Sequence, residues 1–299
     1  MYYKGDTLSR VANKLKREVL RLPGVRVVTG YAHLEALEAH SIHLPPLDPR
    51  DLSILEGVRR NGVHVVPVDS LGFEETPATF AALTKLVDEL RAMPTQGDNQ
   101  PRLSAARMME FPEVYLWGTN ERLLNLIENY IGLPLWYHGV DIRREVADNK
   151  PSDVRQWHID AEDRRMFRII VYLNDVEPGG GPFQYIPREK TVQAAKKLHY
   201  GSGFVNDEQM TRVIPRPEWV EVTGKARTAA FADTCRVFHR AQPPRIGDRY
   251  SITFSWTSRT PLKTYPTTPL SDGAYAFVSS RINERQRSAL PDRNENLTR

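Results

Sequence analysis

His158-Ile159-Asp160 sets an imidazole and a carboxylate two positions apart. In an extended segment both side chains leave the backbone on the same side, close enough to share one metal ion. With 8 histidines and 37 acidic residues in 299, chance alone supplies about one such pair. His33-Leu34-Glu35 is a second, and with no further partner nearby His33 reads as an ordinary helix-packing or surface histidine. His158 and Asp160 gain weight from residues further along the chain. His239 ends the apolar run 236–239, and ten positions later Arg249-Tyr250-Ser251 opens another strand-like run. Alternation puts Arg249, Ser251, Thr253 and Ser255 on one face and Tyr250, Ile252, Phe254 and Trp256 on the other. A polar stripe on such a strand must face water or a cavity, because buried polar groups need partners. Beside a metal, Arg249 and Ser251 would form a carboxylate clamp, the guanidinium binding as a fork and the hydroxyl adding one hydrogen bond.

The elements that must position these residues change character near residue 100. Asp48-Pro49 is a helix start, with Asp as cap and Pro in the first turn, and Asn61-Gly62 is a stop, so a helix is expected over 49–60 and a strand over 63–68. Phe80, Leu83, Leu86, Val87 and Leu90 recur at helical spacing over 76–92, and Leu123, Leu124, Ile127 and Ile131 over 120–131. After residue 134 strands dominate. In 167–173, FRIIVYL, Phe167, Ile169, Val171 and Leu173 share one face and Arg168, Ile170 and Tyr172 the other. Gly179-Gly180-Gly181-Pro182 breaks the chain, and strands are expected at 183–186, 219–222, 228–232, 236–239 and 249–256. Residues 240–248 read as a turn that makes 236–239 and 249–256 antiparallel neighbours. Short strands between turns predict an antiparallel sandwich or barrel with the preceding helices packed outside it. The expected organisation is a single domain over 1–299. It comprises an N-terminal helical region with a short strand (1–105), a core (106–262) interrupted by an insertion (188–223), and a C-terminal extension (263–299). Residues 8–21 read as an amphipathic surface helix, and the polar tail from about 282 as partly disordered.

Composition narrows the classes. A chain of 34.2 kDa with 40% hydrophobic residues can bury a sizeable core and is no disulfide-stapled miniprotein. The 41 basic and 37 acidic residues, net +4, are mixed along the chain without the basic stripe and stacking aromatics of a nucleic-acid binder. One cysteine, Cys235, excludes an internal disulfide and a cysteine-based zinc site, which points to a reducing compartment, by default the cytoplasm. The apolar run 169–173 is far short of the roughly 20 residues that span a bilayer, and the first residues lack the apolar core of a secretion signal, so no stable membrane insertion is expected.

The order HID, GGGPFQYIPRE, FADTCRVFHR, RYS resembles the iron(II)- and 2-oxoglutarate-dependent dioxygenases, in particular the phytanoyl-CoA dioxygenase-like family, over residues 110–260. The stretch LDPRDLSILEGVRRNGVHVVPVD resembles the opening of the same branch. The resemblance implies a mainly β fold with packed helices: a double-stranded β-helix (jelly-roll, cupin-like) core after an N-terminal α-helical segment. It makes His158, Asp160 and His239 a facial triad that leaves three positions open on a six-coordinate iron. It assigns Arg249, with Ser251 assisting, to the distal carboxylate of the co-substrate. A further co-substrate contact comes from the strand over 137–144, where Arg143 is a candidate that alternation cannot single out; His138 there reads as a packing residue or one behind the ligands. Iron(II), 2-oxoglutarate and O2 are then implied, with hydroxylation of a C–H bond in a small-molecule substrate and release of succinate and CO2. Asp160 stands where related halogenases carry a small residue, which argues against halogenation and leaves desaturation and ring formation open. The insertion carries Tyr200, Phe204 and Trp219, which could line a substrate, although core packing is the commoner fate of such aromatics. Arg143, Arg144, Arg155, Arg164, Arg165 and Arg188 cluster in sequence and suit either an anionic substrate or a solvated basic surface. Cys235 reads as a buried strand residue near the metal end. Two alternatives stay open. A cupin-like metal enzyme without 2-oxoglutarate would leave Arg249 and Ser251 unexplained; a non-catalytic barrel would be expected to have lost a ligand.

Overall fold

The computed structural model describes residues 22–95, 97–262 and 270–291, so the helix expected over 8–21 lies outside the described residues. Two antiparallel sheets form the centre. The larger contains β1 (Val63–Pro67), β2 (Leu135–Glu145), β3 (Phe167–Tyr172), β6 (Thr228–Asp233) and β8 (Arg249–Ser258), in the order β1-β6-β3-β8-β2. The smaller contains β4 (Phe183–Tyr185), β5 (Val220–Val222) and β7 (His239–Ala241), in the order β5-β4-β7. The expected β1 therefore forms one edge of the same sheet that carries the C-terminal strands.

Helices cover the outer face of the larger sheet. Leu52–Asn61 ends where Gly62 takes φ 83°, a left-handed conformation that glycine adopts without strain, and its N–H closes on the Val58 carbonyl at 2.8 Å. Glu121–Ile131 starts at Asn120, whose side chain accepts the Leu123 N–H at 3.2 Å. Leu83, Leu86 and Leu90 of Thr76–Ala92 and Leu123, Leu124 and Ile127 of Glu121–Ile131 are buried in one cluster with Phe167, Ile169, Val171, Ile252, Phe254 and Trp256. Each fully buried leucine or isoleucine in that layer contributes about 1.5–3 kcal/mol. The alternation of β3 and β8 is thus realised. One face of each strand packs on the helices, and the other turns toward the smaller sheet, where Tyr172, Ala230 and Ala232 meet Phe183, Tyr185, Val222 and Val237.

Three expectations are corrected. β7 and β8 are not neighbours: β7 pairs with β4, whereas β8 pairs with β2 and β3, so residues 242–248 cross from one sheet to the other. A connection of that length with Pro243-Pro244 is longer than the two to five residues of a tight hairpin and has room to cross. Within 188–223, helices Arg188–Lys197 and Asp207–Val213 form a small unit of their own, but its last residues are β5, a strand of the sheet. The C-terminal extension packs back on the core over residues 270–291: helix Asp272–Ser280 places Val278 in the main cluster, and Ile282, Ala289 and Leu290 join it. The polar composition of this stretch concealed four apolar anchors. Residues 292–299 of the expected tail lie outside the described residues. Among the described residues no helix is long and apolar enough to cross a membrane.

Candidate metal centre

Between the two sheets lies a cavity of about 530 Å³, counting its open mouth, lined in part by Arg143, His158, Asp160, Arg168, His239, Arg249, Ser251 and Thr253. His158 and His239 face each other across an isolated antiparallel bridge, each N–H donating to the other's carbonyl at 3.1 and 2.9 Å. Their rings are 4.3 Å apart between centroids and tilted by 52°. Asp160 is fixed by its own N–H, which donates to the Thr234 carbonyl at 3.0 Å just after β6. Its Oδ1 lies 3.6 Å from His158 Nε2 and its Oδ2 3.9 Å from His239 Nε2. One ligand atom from each of the three residues lies within 4.8 Å of the others.

Each histidine spends its other nitrogen on the backbone. His158 Nδ1 is 2.8 Å from the Gln156 carbonyl and His239 Nδ1 is 3.1 Å from the Val237 carbonyl. A carbonyl only accepts, so each Nδ1 carries the proton and each Nε2 presents a lone pair to the carboxylate side, as metal-binding imidazoles do. Burial lowers the pKa of both rings; that of His239 falls to about 3, with the neighbouring His158 adding to the effect. Both are therefore neutral at ordinary pH. Burial would raise Asp160, but the Arg168 guanidinium beside it outweighs that and holds the carboxyl well below its usual range. Oδ2 accepts no hydrogen bond although it is buried; its 2.9 Å approach to Arg168 Nη2 is an ion pair at a poor hydrogen-bonding angle. A buried carboxylate oxygen without a hydrogen bond, beside two imidazole lone pairs, is a donor set that fits a divalent transition metal with positions to spare.

The far end of the cavity belongs to β8. Arg249, 4% exposed, donates through Nη1 to the Gly181 carbonyl, and its Nη2 is 3.5 Å from Glu145 Oε1. Gly181 has φ 76°, and a Cβ there would meet Pro244 Cγ at 2.4 Å, so the glycine run is what allows this carbonyl to reach the arginine. Glu145 is held from behind by Arg155 Nε and Gln100 Nε2, both at 2.8 Å. Arg249 Nε is buried without a hydrogen-bond partner. Ser251 stands opposite Arg143 in the β2–β8 register, so the structure brings Arg143 into the lining that alternation left undecided. Arg143 is paired with Asp141.

The remaining expected residues separate. His138 is buried, its Nε2 2.8 Å from Thr257 Oγ1 and its ring stacked on Trp136, and burial pushes its pKa down to about 3. Phe204 is 47% exposed and is not part of the cavity lining; its ring meets that of His158 edge-on at 5.5 Å. Tyr200 is half-buried and packs on Phe238; its hydroxyl accepts the Ile159 N–H at 3.2 Å and donates to the Gly203 carbonyl at 2.7 Å. Trp219 does not face the cavity: it is buried beside Trp157, Met210 and Ile214 with its indole N–H on the Ile214 carbonyl at 3.0 Å. Cys235 is in the turn after β6, not in a strand, because the Asp233 carboxylate accepts its N–H and ends the strand there. His33 is half-buried on helix Pro23–Ser41, away from any metal group. Of the arginines adjacent in sequence, only Arg143 lines the cavity. Arg144 pairs with Asp248, Arg155 with Glu145, and Arg164, Arg165 and Arg188 bond the carbonyls of Thr29, Tyr130 and Arg59. Arg168 was missed, although the alternation of β3 already placed it opposite the helix-packed face.

No family model matches the sequence, and no curated protein matches it. Solved structures are similar in fold. The epimerase SnoN in complex with Fe3+, alpha ketoglutarate and nogalamycin RO is 20% identical, with a TM-score of 0.48 over 77% of this chain and 90% of that one. HygX from Streptomyces hygroscopicus with nickel and 2-oxoglutarate bound is 14% identical, with a TM-score of 0.47 over 70% and 87%. EctD from S. alaskensis with 2-oxoglutarate and 5-hydroxyectoine is 19% identical, with a TM-score of 0.48 over 71% and 77%.

Proposed function

We propose that this chain is an iron(II)- and 2-oxoglutarate-dependent dioxygenase of the phytanoyl-CoA dioxygenase-like kind, built on a double-stranded β-helix, that hydroxylates a C–H bond of a small anionic molecule. One observation carries the reading: neutral His158 and His239 converge with the Asp160 carboxylate in the same cavity that holds the buried guanidinium of Arg249 and the Ser251 hydroxyl. A metal-site reading alone would leave that guanidinium without a task. Iron(II) held by His158, Asp160 and His239 would supply activation of O2, coupled to conversion of 2-oxoglutarate into succinate and CO2 and to oxidation of the substrate.

The chain's own residues then divide the work. Arg249, with its unpartnered Nε, and Ser251 would take the distal carboxylate of 2-oxoglutarate, and Arg143, opposite Ser251, would close that pocket. The backbone carbonyls of Gln156 and Val237 keep the two imidazoles in the tautomer that ligates. Phe204 would meet the substrate beside His158, and the cationic lining of Arg143, Arg168 and Arg249 favours an anionic one.

The test is anaerobic addition of Fe(II) and then 2-oxoglutarate to the metal-free protein. A visible charge-transfer band is expected in the parent and is expected to be lost in Arg249→Ala, which should still bind iron. Iron binding without a band in the parent would overturn the 2-oxoglutarate assignment in favour of a cupin-like metal enzyme.

A further inference from the structure

The residues adjacent to the two metal histidines both reach one carboxylate, and Arg240 also lines the cavity. Trp157, immediately before His158, donates its indole N–H to Asp207 Oδ1 at 3.2 Å. Arg240, immediately after His239, donates to the same Oδ1 through Nη1 and approaches Oδ2 with Nη2 at 3.4 Å. The guanidinium lies over the rings of Trp157 and Trp219, 4.6 and 5.5 Å from their centroids, and those two indoles meet edge to face at 4.9 Å. In extended backbone, neighbours of a residue project to the opposite side, and Trp157 accordingly is not part of the cavity lining. Asp207 bonds both of these side chains at once.

Asp207 opens helix Asp207–Val213 of the insertion, and the chain just before it is also stitched to the ligand segment. Val205 exchanges both backbone hydrogen bonds with Trp157, at 3.0 and 2.8 Å, and the Tyr200 hydroxyl takes the Ile159 N–H. The strands themselves supply little rigidity here: β7 has three residues, and His158 sits on an isolated bridge. We propose that Asp207 is a positioning residue that sets the separation of His158 and His239 from outside the cavity, so that metal affinity depends on how the insertion is seated. This rests on the metal reading of the site. Groups behind metal ligands typically change affinity by about 10–100-fold when removed.

Cobalt(II) is the probe, because its visible spectrum reports ligand geometry and needs no 2-oxoglutarate. Binding, spectrum and melting temperature are compared for the parent, Asp207→Asn, Asp207→Glu and Met210→Ala. Met210 is fully buried in the insertion's core and makes no side-chain hydrogen bond to either ligand segment. Asp207→Asn is expected to weaken Co(II) at least about tenfold and to alter the spectrum, with Asp207→Glu recovering most of the affinity. Met210→Ala is expected to lower the melting temperature while holding the affinity within about twofold. Unchanged affinity and spectrum in Asp207→Asn would overturn the proposal. So would an equal loss in Met210→Ala, which would trace the effect to stability of the insertion. A parent that binds no Co(II) would remove the metal reading itself, and this one with it.

Discussion

On one wall of the cavity β8 runs for ten residues, all buried, hydrogen-bonded along its length between β2 and β3 and backed by the helical layer. On the other, β7 runs for three residues, and the HxD segment touches it through a single bridge. The wall that carries Arg249 and Ser251 takes its precision from the sheet. The wall that carries the histidines takes it from side chains: the carbonyl partners of Nδ1, the Asp207 clamp and the aromatic cluster around Trp157. A long buried strand cannot shift without breaking many hydrogen bonds together, whereas a three-residue strand yields to the loss of one partner.

If the two walls act separately, Asp160→Ala should lower Fe(II) or Co(II) affinity more than about 100-fold, beyond the range typical of residues behind the ligands. Arg249→Ala should leave metal affinity within about threefold, as for a site with no shared partner. Comparable losses in the two variants, measured by calorimetry, would break the comparison.

His138 on β2 sharpens it through pH. Burial places its folded pKa at about 3, below its usual 6.5, so the unfolded chain takes up the proton first. Its contribution to stability is complete above pH 6.5 and is lost as pH falls toward 3, at up to about 1.4 kcal/mol per pH unit. His239 shifts in the same direction. In metal-free protein, His138→Gln should remove one proton's share of this slope between about pH 6.5 and 5 in urea unfolding, leaving that of His239. An unaltered slope would place the pH sensitivity outside the larger sheet.

The smallest effect is expected at the exposed ring beside His158. Phe204→Ala, at a side chain 47% exposed, should change stability by less than about 0.5 kcal/mol. It should leave the 2-oxoglutarate band in place and alter turnover of substrate alone. A large drop in melting temperature would make Phe204 part of the aromatic packing.

What was legible in the sequence was whatever depends on side-chain alternation or helical period. Arg249 and Ser251 share the cavity face because the strand repeat is two, and Tyr250, Ile252, Phe254 and Trp256 fill the helix interface for the same reason. His158 and Asp160 obey the same rule. Pairing over distance was not legible. The choice of β4 over β8 as the partner of β7 is made by the path of residues 242–248, which no periodicity records. The clustering of arginines in sequence misled, because residues close in the chain point into different surroundings, whereas Arg143, Arg168 and Arg249 come from three strands that lie side by side. Asp207 carried no local signal, since its partners are 50 and 33 positions away.

β2 is an edge strand, yet its outer side is covered along much of its length by chain that belongs to no strand. The N–H groups of Val146 and Arg144 donate to the carbonyls of Asn99 and Pro101, Leu103 donates to Ile142, and Tyr137 donates to Ala289. An exposed row of such groups is a template onto which a second molecule can add strand by strand. The linker around residue 100 and the C-terminal extension therefore occupy those groups, so that two apparently dispensable connecting segments do the work of a neighbouring strand along this edge.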